Sequence, residues 1–245
     1  MTEKRALIPN SFTMTNMVLG FIAIIIASED YPVFAGMSNP ALAGIMIFVA
    51  SFFDFLDGSV ARALKVENPI GAELDSLADA ISYGIAPGFI AYKAFLSQIP
   101  QFGLLISVIF PICAVYRLAR FNIGSEENGF SGLPSPAAGI TVSIAASLNV
   151  VDLPFFGVVQ FDFPLMAYVP LFILSALLMV SKVDYKKLFS EILKQGKAAS
   201  IASVIILLLL LFCFHQWAIF VFTVVYVAFG LILYMGKLFR KMGGA

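Results

Sequence analysis

Long apolar runs separated by short polar segments follow one another along the whole chain. Several of them approach or exceed the roughly 18–20 residues that a helix needs to cross a bilayer. We read eight spanning helices: Phe12–Ala27, Ala41–Ala61, Leu74–Leu96, Phe102–Ala119, Ala137–Val150, Phe163–Val180, Ala198–Phe214 and Trp217–Gly236. The pattern therefore predicts an all-α, polytopic integral membrane bundle.

The composition points to the same class, because 60% of the 245 residues are hydrophobic and only 12% are charged. A soluble domain of this length needs far more charge to cover its surface. The first apolar stretch has a poor cleavage site around residues 27–29, so we expect it to be retained as a helix. Cys113 and Cys213 lie inside apolar runs, which predicts neither a disulfide nor a metal site for them.

The basic residues lie almost entirely on one side of the predicted bundle. An even number of spans puts both termini on the same side, and fourteen of the fifteen Lys and Arg residues fall there. The exception is Lys93, which can snorkel to the opposite interface. The positive-inside rule makes the basic side cytoplasmic. The segment 182–197 has apolar residues among lysines, which predicts a helix on that surface.

Acidic residues cluster at the basic-side ends of the second and third predicted helices. On the second helix one face, at spacing i, i+3, i+4 and i+7, carries Asp54, Asp57, Gly58 and Ala61. On the third helix a similar face carries Gly71, Asp75, Ala78, Asp79 and Ser82. Because the connection between these helices is short, we expect them to be antiparallel neighbours whose four carboxylates converge on one pocket.

Such a cluster needs positive charge. Each acidic residue in a spanning segment costs about 2.5–3.5 kcal/mol at the bilayer centre, and four together repel one another. Arg62 can neutralise one, and two divalent cations would balance all four. All-oxygen ligation favours Mg²⁺, Mn²⁺ or Ca²⁺ over zinc, and paired ions of this kind are a common device for phosphoryl transfer. A structural acidic cluster or the ion path of a transporter is the alternative.

Residues 54–79 read DFLDGSVARALKVENPIGAELDSLAD and match D-x2-D-G-x2-A-R-x8-G-x3-D-x3-D in full. This spacing resembles the signature of the CDP-alcohol phosphotransferase superfamily. The resemblance implies that Asp54, Asp57 and Asp75 bind metal, and that Asp79 lies near a second ion and acts as general base. The implied cofactors are two divalent cations, Mg²⁺ or Mn²⁺.

The same resemblance implies a nucleotide site. Arg62 is similar to the basic residue that steadies the pyrophosphate, and residues 9–13 resemble the P-N-x-x-T entry beside that site. The implied nucleotide-binding residues are Asn10, Thr13, Gly58, Ala61, Arg62 and Gly71. Read from the residues alone, Asn10 or Ser11 would simply cap the start of the first helix.

Two features on the basic side bear on which alcohol accepts the transferred lipid phosphate. Arg117 and Arg120 precede Asn122, and a planar guanidinium fork suits the carboxylate of an amino acid. Alternatively, both arginines only anchor the end of their helix. The following segment, GFSGLPSPAAG over residues 129–139, is either an anion-binding loop at a helix start or a tight connection.

The pairing of RLARFN, residues 117–122, with GFSGLPSPAAG is similar to bacterial and archaeal phosphatidylserine synthases of this superfamily. With the preceding signature, the resemblance covers about residues 8–140. It implies CDP-diacylglycerol and L-serine as substrates, phosphatidylserine and CMP as products, and a possible homodimer. The implied serine-binding residues are Arg117, Arg120, Asn122 and Ser131.

Other acceptors stay open: glycerol 3-phosphate, an inositol compound or choline. An ion-coupled transporter is the remote alternative, and no nucleic-acid partner is expected. The resemblance divides the chain into a six-helix catalytic unit at 1–181, a surface helix at 182–197 and two further spanning helices at 198–245. The expected location is the inner, cytoplasmic membrane, with both termini and the active site facing the cytoplasm.

Overall fold

The computed structural model describes residues 2–34, 37–66, 69–123, 132–148, 150–153, 157–160, 164–183, 185, 219–232 and 234–236. Within these residues the chain forms eight α-helices. Their bounds are α1 Thr2–Ser28, α2 Asn39–Leu64, α3 Pro69–Asp79, α4 Ala86–Ala94, α5 Gly103–Asn122, α6 Ser135–Ala145, α7 Leu165–Val180 and α8 Ile219–Gly236.

Three shorter elements complete the described structure. A π-helical segment, Ala80–Ile85, joins α3 directly to α4, and a 3-10 turn, Leu96–Gln98, follows α4. Between α6 and α7 the antiparallel strands β1, Val150–Leu153, and β2, Gly157–Gln160, pair as a short hairpin. The hairpin lies where the sequence predicted only a loop.

The described helices confirm a polytopic helical membrane protein. By length and composition, α1, α2, α5 and α8 are each able to cross a bilayer. Large apolar side chains point outward from them, such as Phe21 on α1 and Leu105 on α5, as expected of surfaces that face lipid. The count of eight spans is not confirmed, since α6 and α7 have 11 and 16 residues. The seventh predicted span and most of 182–197 lie outside the described residues.

The first helix begins at Thr2, ten residues earlier than the predicted start, and Pro9 lies inside it. The expectation that Asn10 or Ser11 caps a helix start is therefore wrong. Ser11 Oγ instead donates to the carbonyl of Ile8, 2.7 Å away, within the helix. Proline removes only one amide donor, and near the end of a helix water can satisfy the carbonyl left unpaired.

The third predicted helix is longer and less regular than its pattern suggested. It starts at Pro69, a residue favoured at the first helical position. Its middle widens into the π segment, where the amide of Ala86 donates to the carbonyl of Ile81, five residues back. Pro87 has no amide hydrogen for the carbonyl of Tyr83, four residues back. The proline thus favours the wider winding at this point.

This third helix, which comprises α3, the π segment and α4, lies at the centre of the bundle because small residues let its neighbours approach. A Cβ on Gly20 of α1 would lie only 2.7 Å from Ser82 Cα. A Cβ on Gly139 of α6 would lie 3.1 Å from Tyr83 Cα. On the α5 side, a Cβ on Gly84 would lie 3.1 Å from the Cβ of Ala114. Helices α1, α5 and α6 therefore all contact one short stretch of backbone.

The segment that follows α7 ties the loop before α6 to the last helix. The amides of Gly132 and Leu133 donate to the carbonyls of Val183 and Leu178, at 2.7 and 2.9 Å. Tyr185 then packs its ring against α8, where a Cβ on Gly230 would overlap it. In this way α8 is attached to the bundle.

The end of the bundle opposite the aspartates is held by polar contacts. Lys93 of α4 forms an ion pair with Asp30, at 3.2 Å, in the loop after α1. The amide side chain of Asn39 closes the same loop by donating to the carbonyls of Glu29 and Tyr31. Lys93 thus has a specific partner in the loop after α1.

Gly20→Ala should destabilise the protein by about 1–3 kcal/mol, because the added methyl overlaps the backbone of Ser82. The measurement is the midpoint of thermal unfolding in detergent. Gly236→Ala is the matched control, since a Cβ there meets nothing within 4 Å. Equal midpoints for the two variants would contradict the close approach of α1 to the third helix.

Candidate active site

Three aspartates from two helices meet at one point. Asp54 and Asp57 of α2 and Asp75 of α3 each offer a carboxylate oxygen, and these oxygens lie within 4.8 Å of one another. Asp57 is buried, with 6% of its surface exposed. The spacing of the aspartates along each helix turns them to the same side, and the short connection between α2 and α3 brings the two sides together.

The fourth aspartate, Asp79, is the last residue of α3, immediately before the π segment. Its Oδ1 accepts a hydrogen bond from Asn16 Nδ2 of α1, at 3.3 Å. Its carboxyl group is also close enough to Asp54 and Asp75 for their charges to interact. All four acidic side chains are therefore in electrostatic contact.

Polar residues on one face of α1 donate hydrogen bonds to this cluster. Thr13 Oγ donates to Asp57 Oδ2 at 2.7 Å, and Asn16 donates to Asp79. The backbone carbonyl of Asn16 in turn accepts from Ser82 Oγ, at 2.9 Å. Thr13, Asn16 and Gly20 recur at i, i+3 and i+7, which is one face of a helix. The sequence reasoning did not assign Asn16 to the site, although this spacing was visible in the chain.

The donor set fits a divalent cation. Neutral hydroxyl and amide donors orient carboxylates but leave their charge in place, and repulsion within the cluster must be offset. Asp75 Oδ1 is buried and has no hydrogen-bond partner among the described residues. An unpaired buried carboxylate oxygen beside two further carboxylates is the arrangement that hard, oxygen-preferring ions stabilise.

The residues predicted to bind a nucleotide lie beside the cluster. Gly58, Ala61 and Gly71 are partly exposed on α2 and α3. Asn10 is one turn before Thr13 on α1. The exposed guanidinium of Arg62 lies over Gly58, where a Cβ would be 3.4 Å from Arg62 Nη1. A side chain at 58 would therefore crowd both the guanidinium and the surface next to it.

The predicted acceptor residues are partly brought together. Arg117 of α5 is buried, donates to Ser135 Oγ at the start of α6, and is close enough to Asp79 for their charges to attract. Arg120 instead donates to the carbonyl of Val180, at 3.3 Å, at the end of α7.

The other two acceptor candidates are placed differently. Asn122 is exposed at the end of α5, and its Oδ1 accepts from Ser76 Oγ of α3 at 3.1 Å. Ser131 lies outside the described residues. Ser135, four residues further along the chain, accepts a hydrogen bond from Arg117.

The last helix also reaches this region, which the sequence reasoning missed. Tyr226 of α8 is close enough to Arg117 for the two groups to interact electrostatically. Its ring centroid lies 5.5 Å from that of Tyr185. No sequence pattern marks Tyr226, because its place near the site follows from how Tyr185 docks on α8.

The chain is similar to known lipid-synthesis proteins. Residues 6–169 match the family described as CDP-alcohol phosphatidyltransferase. Relatives named CDP-diacylglycerol–serine O-phosphatidyltransferase include one from Bacillus subtilis, 38% identical over 138 residues, which covers 56% of this chain and 73% of the relative.

Two other relatives of that name match this chain over a smaller share of their own length. The Mycobacterium leprae protein is 36% identical over 56% of this chain and 45% of its own length. The Methanocaldococcus jannaschii protein is 37% identical over 52% of this chain and 54% of its own length. The chain thus spans about half the length of several curated relatives that it matches.

Asp75→Asn should weaken Mn²⁺ binding more than ~10-fold, because it removes one of three converging carboxylates. Titration of the purified protein with Mn²⁺, followed by electron paramagnetic resonance, measures the affinity. Glu73→Gln removes an exposed acid from the same helix and should leave the affinity unchanged. Equal Mn²⁺ affinity for both variants would contradict a metal site at this cluster.

Proposed function

We propose that this chain, which belongs to the CDP-alcohol phosphatidyltransferase family, makes phosphatidylserine. In the proposed reaction the hydroxyl oxygen of L-serine attacks the lipid-bearing phosphorus of CDP-diacylglycerol. The new phosphorus–oxygen bond forms as the bond from that phosphorus to the oxygen of CMP breaks. CMP leaves, and the proton of the serine hydroxyl passes to a carboxylate of the protein.

The observation that carries the choice of serine is the buried arginine beside the aspartates. Arg117 donates to Ser135 Oγ and faces Asp79. A guanidinium at this place can pair with the carboxylate of an amino acid whose hydroxyl points at the acidic cluster. Inositol and choline have no anionic group for a guanidinium to bind, whereas glycerol 3-phosphate has a phosphate, which arginine also binds. The names of the relatives support the same acceptor.

Asp79 is the proposed base. Asn16 fixes one of its oxygens through a 3.3 Å hydrogen bond, and the charge of Arg117 acts on the same carboxylate. A base held in one orientation next to the acceptor site can take the hydroxyl proton as the phosphorus–oxygen bond forms. Arg120, Asn122 and Ser131 are the further residues that we propose on the serine side.

Two divalent cations, Mg²⁺ or Mn²⁺, are the proposed cofactors, held by Asp54, Asp57, Asp75 and Asp79. When bound, such ions neutralise the charge of the diphosphate and lower the pKa of a nearby hydroxyl. Thr13 supports this set by donating to Asp57 Oδ2, which leaves the other oxygen of that carboxylate for a ligand.

The nucleotide is proposed to lie over the small residues at the open side of the cluster. Arg62 is proposed to meet the negative charge of the diphosphate, which its exposed guanidinium above Gly58 supports. The lack of side chains at the neighbouring positions leaves room for the cytidine. The residues proposed for this role are Asn10, Thr13, Gly58, Ala61, Arg62 and Gly71.

The proposal includes the cellular arrangement. The distribution of basic residues supports an active site and termini on the cytoplasmic side of the inner membrane. The family resemblance supports a homodimer and a catalytic unit at 1–181, followed by the segment 182–197 and two further spans at 198–245.

The acceptor can be tested directly. Purified protein in detergent with CDP-diacylglycerol and Mn²⁺ should release CMP when L-serine is added. It should release little with inositol or choline, because these have no anionic group for Arg117 to bind. Little release is also expected with glycerol 3-phosphate, since the names of the relatives support serine. CMP release with choline or glycerol 3-phosphate, but not with serine, would reject serine as the acceptor.

Asp79→Asn should lower serine-dependent CMP release by about 10²–10⁴-fold, because the amide cannot accept the proton. Binding of CDP-diacylglycerol, followed by protection against thermal unfolding, should remain measurable. Asp30→Asn removes an acidic group at the opposite end of the bundle and is expected to leave turnover nearly unchanged. Near-normal turnover in Asp79→Asn would remove Asp79 as the base.

A further inference from the structure

One buried hydroxyl next to the acidic cluster has no use in the mechanism so far. Tyr83 is completely buried, and its hydroxyl has no hydrogen-bond partner among the described residues. Leaving a buried hydroxyl unpaired costs free energy, so such groups are rare unless a ligand or another group pairs with them.

Other buried tyrosines of the bundle show the contrast. The hydroxyl of Tyr168 donates to the carbonyl of Val142 at 3.0 Å, and that of Tyr185 donates to the carbonyl of Val227 at 3.3 Å. Both pairings use backbone carbonyls available inside the bundle. Tyr83 therefore differs from them, because its hydroxyl has no acceptor among the described residues.

The four aspartates bring negative charge close to the phenol of Tyr83. Tyr83 lies in the π segment, four residues after Asp79. The charges of all four aspartates act on its phenol, that of Asp54 most strongly. None of these carboxylates accepts a hydrogen bond from it. The hydroxyl thus lies near the acidic cluster without bonding to it.

The backbone of Tyr83 also lies against helix α6. Its backbone packs against Gly139 of α6, where a Cβ would lie 3.1 Å from Tyr83 Cα and 3.2 Å from its Cβ. Helix α6 begins at Ser135, the residue that accepts from Arg117. Tyr83 therefore has the carboxylates near its phenol and packs its backbone against α6, the helix whose first residue contacts Arg117.

We propose that Tyr83 is a positioning residue for the acceptor alcohol, to which its buried hydroxyl donates a hydrogen bond at an oxygen atom between the aspartates and α6. The inference rests on the proposed function, because it requires an acceptor to bind there. A phenol is a neutral donor, so it orients an oxygen without competing with metal for the carboxylates. Because the hydroxyl is already dehydrated, a bound acceptor supplies the partner that the free protein lacks.

The test is Tyr83→Phe, which removes only the hydroxyl. The KM for L-serine should rise about tenfold, the loss expected for one neutral hydrogen bond. The KM for CDP-diacylglycerol should stay within about twofold of the wild-type value, since the nucleotide side is untouched. The thermal midpoint should be equal to or above that of the wild type, because no hydrogen bond of the free protein is lost.

Tyr168→Phe is the matched control. It also removes one buried tyrosine hydroxyl, but that hydroxyl is bonded to Val142 and lies away from the aspartates. This variant should have a lower thermal midpoint and an unchanged KM for serine. The two variants thus separate a role in acceptor binding from a role in packing, because their effects on stability and on KM are expected to be opposite.

The results distinguish a failure of the proposed function from a failure of the role proposed for Tyr83. Wild-type protein that releases no CMP with serine would defeat the proposed function itself. Active wild-type protein together with an unchanged serine KM in Tyr83→Phe would overturn only the role of Tyr83. A rise confined to the KM for CDP-diacylglycerol, or a lowered thermal midpoint with unchanged kinetics, would overturn it as well.

Discussion

Mutual repulsion among four carboxylates at one end of a membrane helix bundle is the constraint that the surrounding packing has to meet. Asp54, Asp57 and Asp75 bring oxygens within 4.8 Å of one another, and Asp79 adjoins them. Such a group is stable in an apolar protein only if each carboxylate has donors or counter-charge. Helix α1 supplies neutral donors, α5 supplies Arg117, and the oxygens left over are suited to cations.

The need for close donors explains why small residues surround the third helix. Asn16 reaches Asp79 only because Gly20, one turn later, lets α1 lie against the backbone of Ser82. Gly139 has the same effect for α6 at Tyr83. In a membrane, helices associate through close packing and interhelical hydrogen bonds rather than through exclusion of water. Here the same contacts that hold the helices together also orient the acidic side chains.

The sequence predicted those parts of the structure that depend on local spacing. The apolar runs predicted the helical membrane class, and the interval between aspartates on each helix predicted that they share a face. The start of α1 was not predicted, because Pro9 reads as a break in the apolar pattern. The π segment was not predicted, because Pro87 lies inside the predicted helix Leu74–Leu96 and its effect depends on which carbonyls find other partners. Tyr83 and Tyr226 carry no signal of their own, and Asn16 is marked only by sharing a helix face with Thr13. Their place depends on contacts between helices far apart in the chain, which periodicity does not encode.

The π segment also keeps the two ends of the bundle in register. One residue added to a regular α-helix would turn α4 by about 100° relative to α3, and the wider winding of Ala80–Ile85 absorbs most of that turn. Without the widening, Asp75 would keep its neighbours on α2, but Lys93 would swing away from Asp30 and Gly88 from Pro111. The six residues of this segment thus align the acidic cluster with the contacts at the opposite end of the molecule.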